Sequence, residues 1–314
     1  MAAEIQISQP PSLIQTVTNR AFQVLCQAFA WLTVAIAVFI VLKIAVNALP
    51  AIHQYGFGFL TGTVWNPKTK VYSILPEIWG TLYSSAFALL LATAFGLAAA
   101  VFLAEGFVGD SIFALLKVVK LQFHPLWGKL PAQADNLFRN LIELLAAIPS
   151  VVYGLWGIFI VIPMIIVLSI MILPTITMIS RGALVAVPTR LKMAAYGLGA
   201  TRWETILAVT APSASRGIFG GVVLAFGRAL GETMALAMLL GNANVISISL
   251  FSPANTLAAL LANAFPEAGP KDVRVLMYAA TVLLVITLVV NAAGAIILQR
   301  TSLDSDADME RGKA

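Results

Sequence analysis

Apolar positions in this chain fall in long unbroken tracts, not in the alternating or every-third-residue patterns that line one face of a water-soluble strand or helix. Tracts run from about residue 28 to 49 (with Lys43 near the far end), 77 to 103, 144 to 180, 217 to 241 and 275 to 298. A helix needs roughly 20 apolar residues to cross the hydrocarbon core of a bilayer. The tract from Leu144 to Ser180 is 37 residues without a charge and carries Pro149, Pro163 and Pro174. It is too long for one perpendicular helix, so a short turn near Pro163 is expected to divide it into spans three and four. The pattern therefore predicts an all-α integral membrane protein of six spans. Between them, residues 50–76 are rich in turn formers (His53, Gly56, Gly58, Gly62, Asn66, Pro67) and read as a loop. Residues 105–140 are mixed and basic, with Lys117, Lys120, Lys129 and Arg139.

This organisation implies an N-terminal segment, 1–27, then a six-span domain, 28–300, with its core in 75–300. The acidic tail, 301–314, holds Asp304, Asp306, Asp308 and Glu310 and is expected to be disordered. The first twenty residues are polar, and the apolar run after them exceeds a signal-peptide h-region, so it reads as an uncleaved first span.

Composition agrees with the pattern. Of 314 residues 60% are hydrophobic and 11% charged, with a mean hydropathy of +0.93. A soluble domain carries about 25% charged residues. A soluble enzyme is thereby excluded. The single cysteine, Cys26, can form no internal disulfide. The net charge of +5 does not point to nucleic acid, because the basic residues sit in loops beside apolar spans. With the N-terminus inside, six spans put thirteen basic residues on the inner side and four (Lys68, Lys70, Lys271, Arg274) on the outer. That is the positive-inside distribution, with both termini and the 188–212 loop cytoplasmic. Five spans would move the Arg190–Arg216 loop outside. The tryptophans lie mostly near span ends, as an interfacial belt requires.

Two constellations carry candidate chemistry. The first is the loop 188–212. A short helix after Pro188 is expected to break around Gly197 and Gly199. A second begins at Thr201, whose hydroxyl would cap it together with Glu204 at the third position, and Pro212 ends it. Such a structured loop suits a docking partner; an amphipathic segment lying on headgroups is the alternative. The second constellation is Phe226–Met234 in span five. Arg228 and Glu232, four apart, share one helix face and are expected to pair, flanked by Gly227 and Gly231. An arginine at bilayer depth costs roughly 2.5–3.5 kcal/mol. It either meets an anion crossing the membrane or, paired with Glu232, only orients the helix. Glu143 reads as an interfacial or packing residue, and Arg181 as a topology signal. His53 and His124 are lone histidines without metal-ligand spacing, so no metal site is expected. No phosphate-binding Gly-rich loop with Lys-Ser/Thr is present, so ATP would have to be handled by another chain.

The loop resembles the EAA loop of bacterial ABC importer permeases through Ala194-Ala195, Gly199 and Val209-x-Ala211-Pro212, with Met193 where the family has Glu. The stretch Gly227–Ala235, with Gly241-Asn242, is similar to the phosphate-importer (PstC-type) permeases. So are Leu144–Trp156, Ile172-Leu-Pro174 and Ala262–Phe265. The similarity spans roughly residues 75–105 and 140–300. The segment around Lys117–Lys129 departs from it as an insertion, and the loop between spans three and four is shorter than in the family.

The resemblance implies a type I importer (MetI-like) permease fold in a bacterial inner membrane. It implies Arg228 and Glu232 on the phosphate path, and Ala194, Ala195, Gly199, Arg202 and Pro212 at the contact with an ATPase. The implied partners are a second homologous permease, two cytoplasmic ATPase subunits that hold ATP and Mg, and an extracytoplasmic phosphate-binding protein. No cofactor would be bound by this chain itself. The competing readings are a permease for molybdate or sulfate, an ion-coupled secondary transporter using Arg228 and Glu232 as a relay, or a non-transporting scaffold. The secondary-transporter class often carries internal repeats, and none is evident here.

Overall fold

Inside a bilayer no water is available to the backbone, so each N–H and C=O must find its partner within the protein, and helices do this segment by segment. The structure, a computed structural model, describes residues 13–107, 109–111, 130–160, 163–239, 241, 243–249 and 254–311. Lys117, Lys120, His124, Trp127, Lys129 and Asn242 lie outside the described residues. The elements in chain order are α1 (Leu13–Tyr55), α2 (Gly58–Thr61), the hairpin strands β1 (Trp65–Asn66) and β2 (Val71–Tyr72), and α3 (Leu75–Glu105). After these come α4 (Leu130–Ala147), α5 (Ser150–Ile160) and α6 (Met164–Val185). Next are α7 (Thr189–Gly197), α8 (Arg202–Thr205), a π-helical turn (Ile206–Thr210) and α9 (Ala211–Leu230). The chain ends with α10 (Met234–Leu239), α11 (Leu257–Ala264), a 3₁₀ turn (Phe265–Glu267) and α12 (Pro270–Arg311).

Among the described residues five helical stretches are long and apolar enough to cross a membrane: α1, α3, α6, α8 through α9, and α12. The sixth expected span is a pair, α4 and α5, bent by 92° at the break between them. Pro149 sits at that break. Proline has no N–H to offer Leu145 and its ring opposes the preceding turn. The Tyr153 hydroxyl donates to the freed Leu145 carbonyl at 2.8 Å, so the bend leaves that group satisfied. The expected turn near Pro163 is matched by the start of α6 directly after it.

Small residues let the central helices touch. Ala88, Ala92, Gly96 and Ala100 form a four-residue-spaced stripe on α3; its alanines are almost wholly buried, Ala88 and Ala92 in a cluster with Ile165, Leu168, Ile172 and Ile176 of α6, and Ala100 in one with Leu184 of α6. A Cβ on Gly96 would lie 3.2 Å from the Ile176 Cβ. Gly217 and Gly221 of α9 do the same against Ala183 and Ile179 of α6, and Gly294 of α12 against Val223 of α9. Lipid is as apolar as leucine, so this fit and the contacts it permits hold the bundle together. The outward apolar side chains of α1, such as Phe22, Phe29, Trp31 and Phe39, are more than half exposed and suit lipid.

Several boundaries differ from expectation. Helix α1 starts at Leu13 and runs through Pro50 to Tyr55, taking in part of residues 1–27 and of the expected loop. The remainder of 50–76 is ordered, because its aromatic residues pack into a cap at the end of the bundle away from the 188–212 loop. The Phe59 and Tyr278 rings stack at 4.4 Å, and the Tyr72 hydroxyl donates to Asp272 Oδ1 at 2.5 Å. Burial, then the Asp272 carboxylate, push the Tyr72 phenol above its ordinary ionisation range. Helix α12 continues through Arg311, so the acidic tail is helical up to there where disorder was expected. Span five ends at Leu230 instead of residue 241.

Gly80 marks the tightest of these contacts. A Cβ there would stand 2.0 Å from the Asn255 backbone oxygen, and backbone cannot swing aside as a side chain can. Gly80→Ala is therefore expected to destabilise the protein by at least about 1–3 kcal/mol, read as a lower melting midpoint of the detergent-solubilised protein. An unchanged midpoint would show that the 254–256 backbone yields freely.

Candidate functional site: an arginine groove and a structured loop

Arg228 lies in the last turn of α9, with its side chain exposed in the single chain. It does not pair with Glu232. Arg228–Glu232 is absent from the ion pairs among the described residues, and the helix that would have aligned the two ends at Leu230. Gly231, Glu232 and Thr233 are non-helical. The Thr233 hydroxyl donates to the Gly231 carbonyl at 3.0 Å, taking up a backbone acceptor that the broken helix leaves free. Glu232 belongs to the next element: its Oε1 faces the Ala235 N–H at the start of α10, at 3.5 Å. A carboxylate is favourable at a helix N-terminus.

The Arg228 guanidinium turns to α6 instead, where Nη1 donates to Thr175 Oγ1 at 3.3 Å. Thr175 follows Pro174, midway along α6. On the other side stands Asn291 of α12, whose amide oxygen would lie 2.8 Å from a Cβ on Gly227. Gly227 thus admits the Asn291 amide against α9. Thr175, Gly220, Val223, Leu224, Gly227, Arg228 and Asn291 line one groove of about 630 Å³. A guanidinium, a hydroxyl and an amide in an otherwise apolar groove can together receive an oxyanion through charge-assisted and neutral hydrogen bonds. Sequence reasoning missed Thr175 and Asn291. Asn291 had a signal, being the one amide in the apolar tract from Val275 to Leu298. Thr175 had little, since a threonine after proline inside a helix is common packing.

The loop matches its expected form closely. Helix α7 follows Pro188 and ends at Gly197, and Gly199 turns the chain at φ +88°, a region L-residues with a Cβ rarely enter. The capping box at α8 is formed: the Glu204 N–H donates to Thr201 Oγ1 at 3.3 Å, and the Thr201 N–H to Glu204 Oε2 at 2.7 Å. The Thr201 backbone N–H, and after it the Thr201 side chain, hold the exposed Glu204 carboxyl below the usual carboxylate range. Pro212, however, does not end this helix. The π turn at 206–210 widens the coil just before it, with the Ala211 N–H bonded to the Ile206 carbonyl. Pro212 then falls at the second position of α9, where a missing N–H and a fixed φ are tolerated.

Of the loop residues singled out by sequence, Ala194 and Gly199 face outward while Ala195 is buried toward the bundle. Arg202 is engaged within its own chain. Its guanidinium is bound to Asp110 and to the Glu105 carbonyl and lies over the Phe107 ring. What the loop does present is apolar: Leu198 is 90% exposed, Leu207 68%, Met193 62% and Trp203 55%. Glu143, also noted in the sequence, forms an exposed pair with Arg139 at 3.0 Å, a contact of small energetic weight.

Residues 126–302 match the family described as binding-protein-dependent transport system inner membrane component. The chain is 34% identical over 319 residues to the phosphate transport system permease protein PstC of Mesorhizobium japonicum, covering 90% of each. It is 32% identical over 311 residues to the protein of the same name from Haemophilus influenzae, covering 88% of this chain and 91% of that one. It is also 35% identical over 255 residues to the probable ABC transporter permease protein YqgH of Bacillus subtilis, covering 74% of this chain and 75% of that one. A chain of the MetNI methionine ABC transporter in an inward-facing conformation shares the fold: TM-score 0.56 at 17% identity, over 76% of this chain and 99% of that chain. The helical bundle is thus the type I importer permease fold expected from the sequence, and the chain belongs to the family of inner-membrane components of binding-protein-dependent transport systems.

Proposed function

We propose that this chain is the transmembrane permease subunit of an ATP-driven importer of inorganic phosphate. The carrying observation is Arg228, which lies in a membrane-spanning helix with no carboxylate on it among the described residues and lines an open groove with Thr175 and Asn291. A guanidinium held at that depth costs roughly 2.5–3.5 kcal/mol without compensation, and a transient anion compensates it. Binding must stay weak enough for the ion to leave. A second homologous permease would close the exposed side of this groove. The close similarity to PstC proteins favours phosphate over molybdate or sulfate.

The 188–212 loop would be the contact with two cytoplasmic ATPases, which hold ATP and Mg, so that this chain is no enzyme and binds no cofactor. Its exposed Leu198, Met193, Trp203 and Leu207 are the apolar surface such a partner covers. An extracytoplasmic binding protein would deliver phosphate at the opposite end. Both termini are then cytoplasmic in a bacterial inner membrane. ATPase closure moves the loop, the helices pass from inward-open to outward-open, and phosphate is released inward past Arg228.

Two outcomes test this reading. In cells expressing the full complex, Arg228→Gln should lower uptake of radiolabelled phosphate roughly ten- to a hundredfold, the worth of a charged hydrogen bond, with membrane levels unchanged. Normal phosphate uptake by that variant sinks the anion role, and uptake of sulfate or molybdate alone by the wild type moves the substrate. At the loop, Gly199→Ala should raise the ATP hydrolysed per phosphate moved, because a Cβ is strained at φ +88° by roughly 1–2 kcal/mol. Gly197→Ala meets nothing within 4 Å and should leave the ratio as it was. Equal ratios in all three proteins would remove Gly199 from coupling.

A further inference from the structure

Two cations of the loop converge on one short stretch of chain at the end of α3. From α7, Lys192 Nζ donates to Glu105 Oε1 at 2.7 Å, with the two side chains only 17% and 11% exposed. From α8, the Arg202 guanidinium binds both the Asp110 carboxylate and the Glu105 carbonyl oxygen. Its Cζ lies 4.1 Å from the centroid of the Phe107 ring, and that ring stacks on Trp203 at 5.1 Å with an interplanar angle of 16°. Each helix of the loop thus contributes one cation, and both end within residues 105–110.

That stretch is itself held. Gly106 terminates α3 in the left-handed region, φ +70°, with its N–H on the Phe102 carbonyl. Three residues on, the Gly109 N–H donates to Asp135 Oδ1 of α4 at 3.0 Å. A push on α7 and α8 therefore meets α3 and α4 through side chains, without passing along the backbone.

The backbone routes out of the loop differ in stiffness. On one side α7 joins α6 through Ala186–Pro188. On the other, α8 joins α9 only through the π turn at Ile206–Thr210, where the hydrogen-bond register slips by one residue. The Thr205 hydroxyl there is buried without a partner. Such turns interrupt regular helices and often sit at functional positions. The contacts of Lys192 and Arg202 bypass that turn.

We propose that Lys192, Glu105, Arg202 and Asp110 form a clamp that makes α3 move as one body with the ATPase-contacting helices. Motion of the loop then reaches the α3–α6–α9 packing directly as well as through the π turn. These four are positioning residues: none touches the groove at Arg228. Arg202 cannot be replaced by lysine at full strength, because one planar guanidinium makes two directed hydrogen bonds while sitting over an aromatic ring. The proposal rests on the importer reading for its consequence, and on the contacts of these four side chains alone for its existence.

The test uses the full complex, reconstituted with its binding protein and inorganic phosphate, in a Cys26→Ser background. Spin labels at Val101 on α3 and Tyr196 on α7 report whether the two elements stay together. In the clamped protein the label-to-label distance should keep one narrow distribution with and without ATP. Lys192→Glu should broaden it and raise the ATP hydrolysed per phosphate moved by roughly tenfold, equivalent to 1.4 kcal/mol of lost coupling. The reversed pair, Lys192→Glu with Glu105→Lys, should restore both readouts, whereas a merely destabilised fold would not be rescued. Co-purification of the ATPase with each variant guards against failed assembly. A narrow distribution in Lys192→Glu, or no rescue by the reversed pair, overturns the clamp. A wild-type complex that hydrolyses ATP and moves no phosphate overturns the importer reading instead, and the distances still decide the clamp.

Discussion

Close approach of α3, α6 and α9 is the constraint on which the rest of this structure depends. In lipid there is no gain from merely hiding apolar surface, so helices associate through fit. The fit is written in small residues: Ala88, Ala92, Gly96 and Ala100 on α3, and Gly217 and Gly221 on α9, each against branched or small side chains of α6. Only with these backbones close can Thr175 of α6 reach Arg228 of α9. The same closeness lets Thr177 of α6 donate its hydroxyl to the Gly96 carbonyl of α3 at 3.2 Å, a polar tie between helices that water does not contest.

Polar satisfaction explains where the bundle departs from straight spans. At three of the places where regular helical hydrogen bonding is interrupted, a nearby hydroxyl takes over. At Pro149 the Tyr153 hydroxyl replaces the missing donor. At Gly231–Thr233 the Thr233 hydroxyl does so. At Ile206–Thr210 the ladder shifts register and the Thr210 hydroxyl donates to the Thr205 carbonyl at 3.3 Å. Each of these irregularities carries its own donor nearby in sequence, which keeps a freed backbone carbonyl paired.

Much of this was legible beforehand, and what was not has a common cause. Long apolar tracts located the membrane-spanning helices but not their ends, because hydropathy is summed over about twenty positions while α1 and α12 run on well beyond their tracts. The Thr201–Glu204 box and the Gly199 turn were readable because capping and left-handed turns are local chemistry. The Arg228–Glu232 pairing failed on the assumption that one helix runs through Gly231; a four-residue spacing has meaning only within an unbroken helix. The α4–α5 bend was missed although Pro149 was in view, since a proline in a span kinks it by an amount that packing decides. Thr175 and Asn291 at the groove, and Glu105 beneath Lys192, are tertiary partners 53 to 87 residues distant in the two hydrogen bonds concerned or brought in by another helix, and no local pattern announces them.

The placement of Arg228 follows from these breaks. Helix α9 has 20 residues, about 30 Å at 1.5 Å per residue, and both of its ends are interruptions: the π turn at one, Gly231 at the other. Between them it is stiffened by Gly217 and Gly221 against α6 and by Val223 against Gly294 of α12. A rod held along its length but released at both ends transmits rotation and shift better than it transmits bending. Arg228 sits in its final turn, where the guanidinium can leave or keep Thr175 without unwinding any helix. Had α9 run unbroken through Glu232, as the spacing suggested, the arginine would be neutralised by its own helix and fixed in place. The break at Gly231 is therefore what leaves its charge available to the groove.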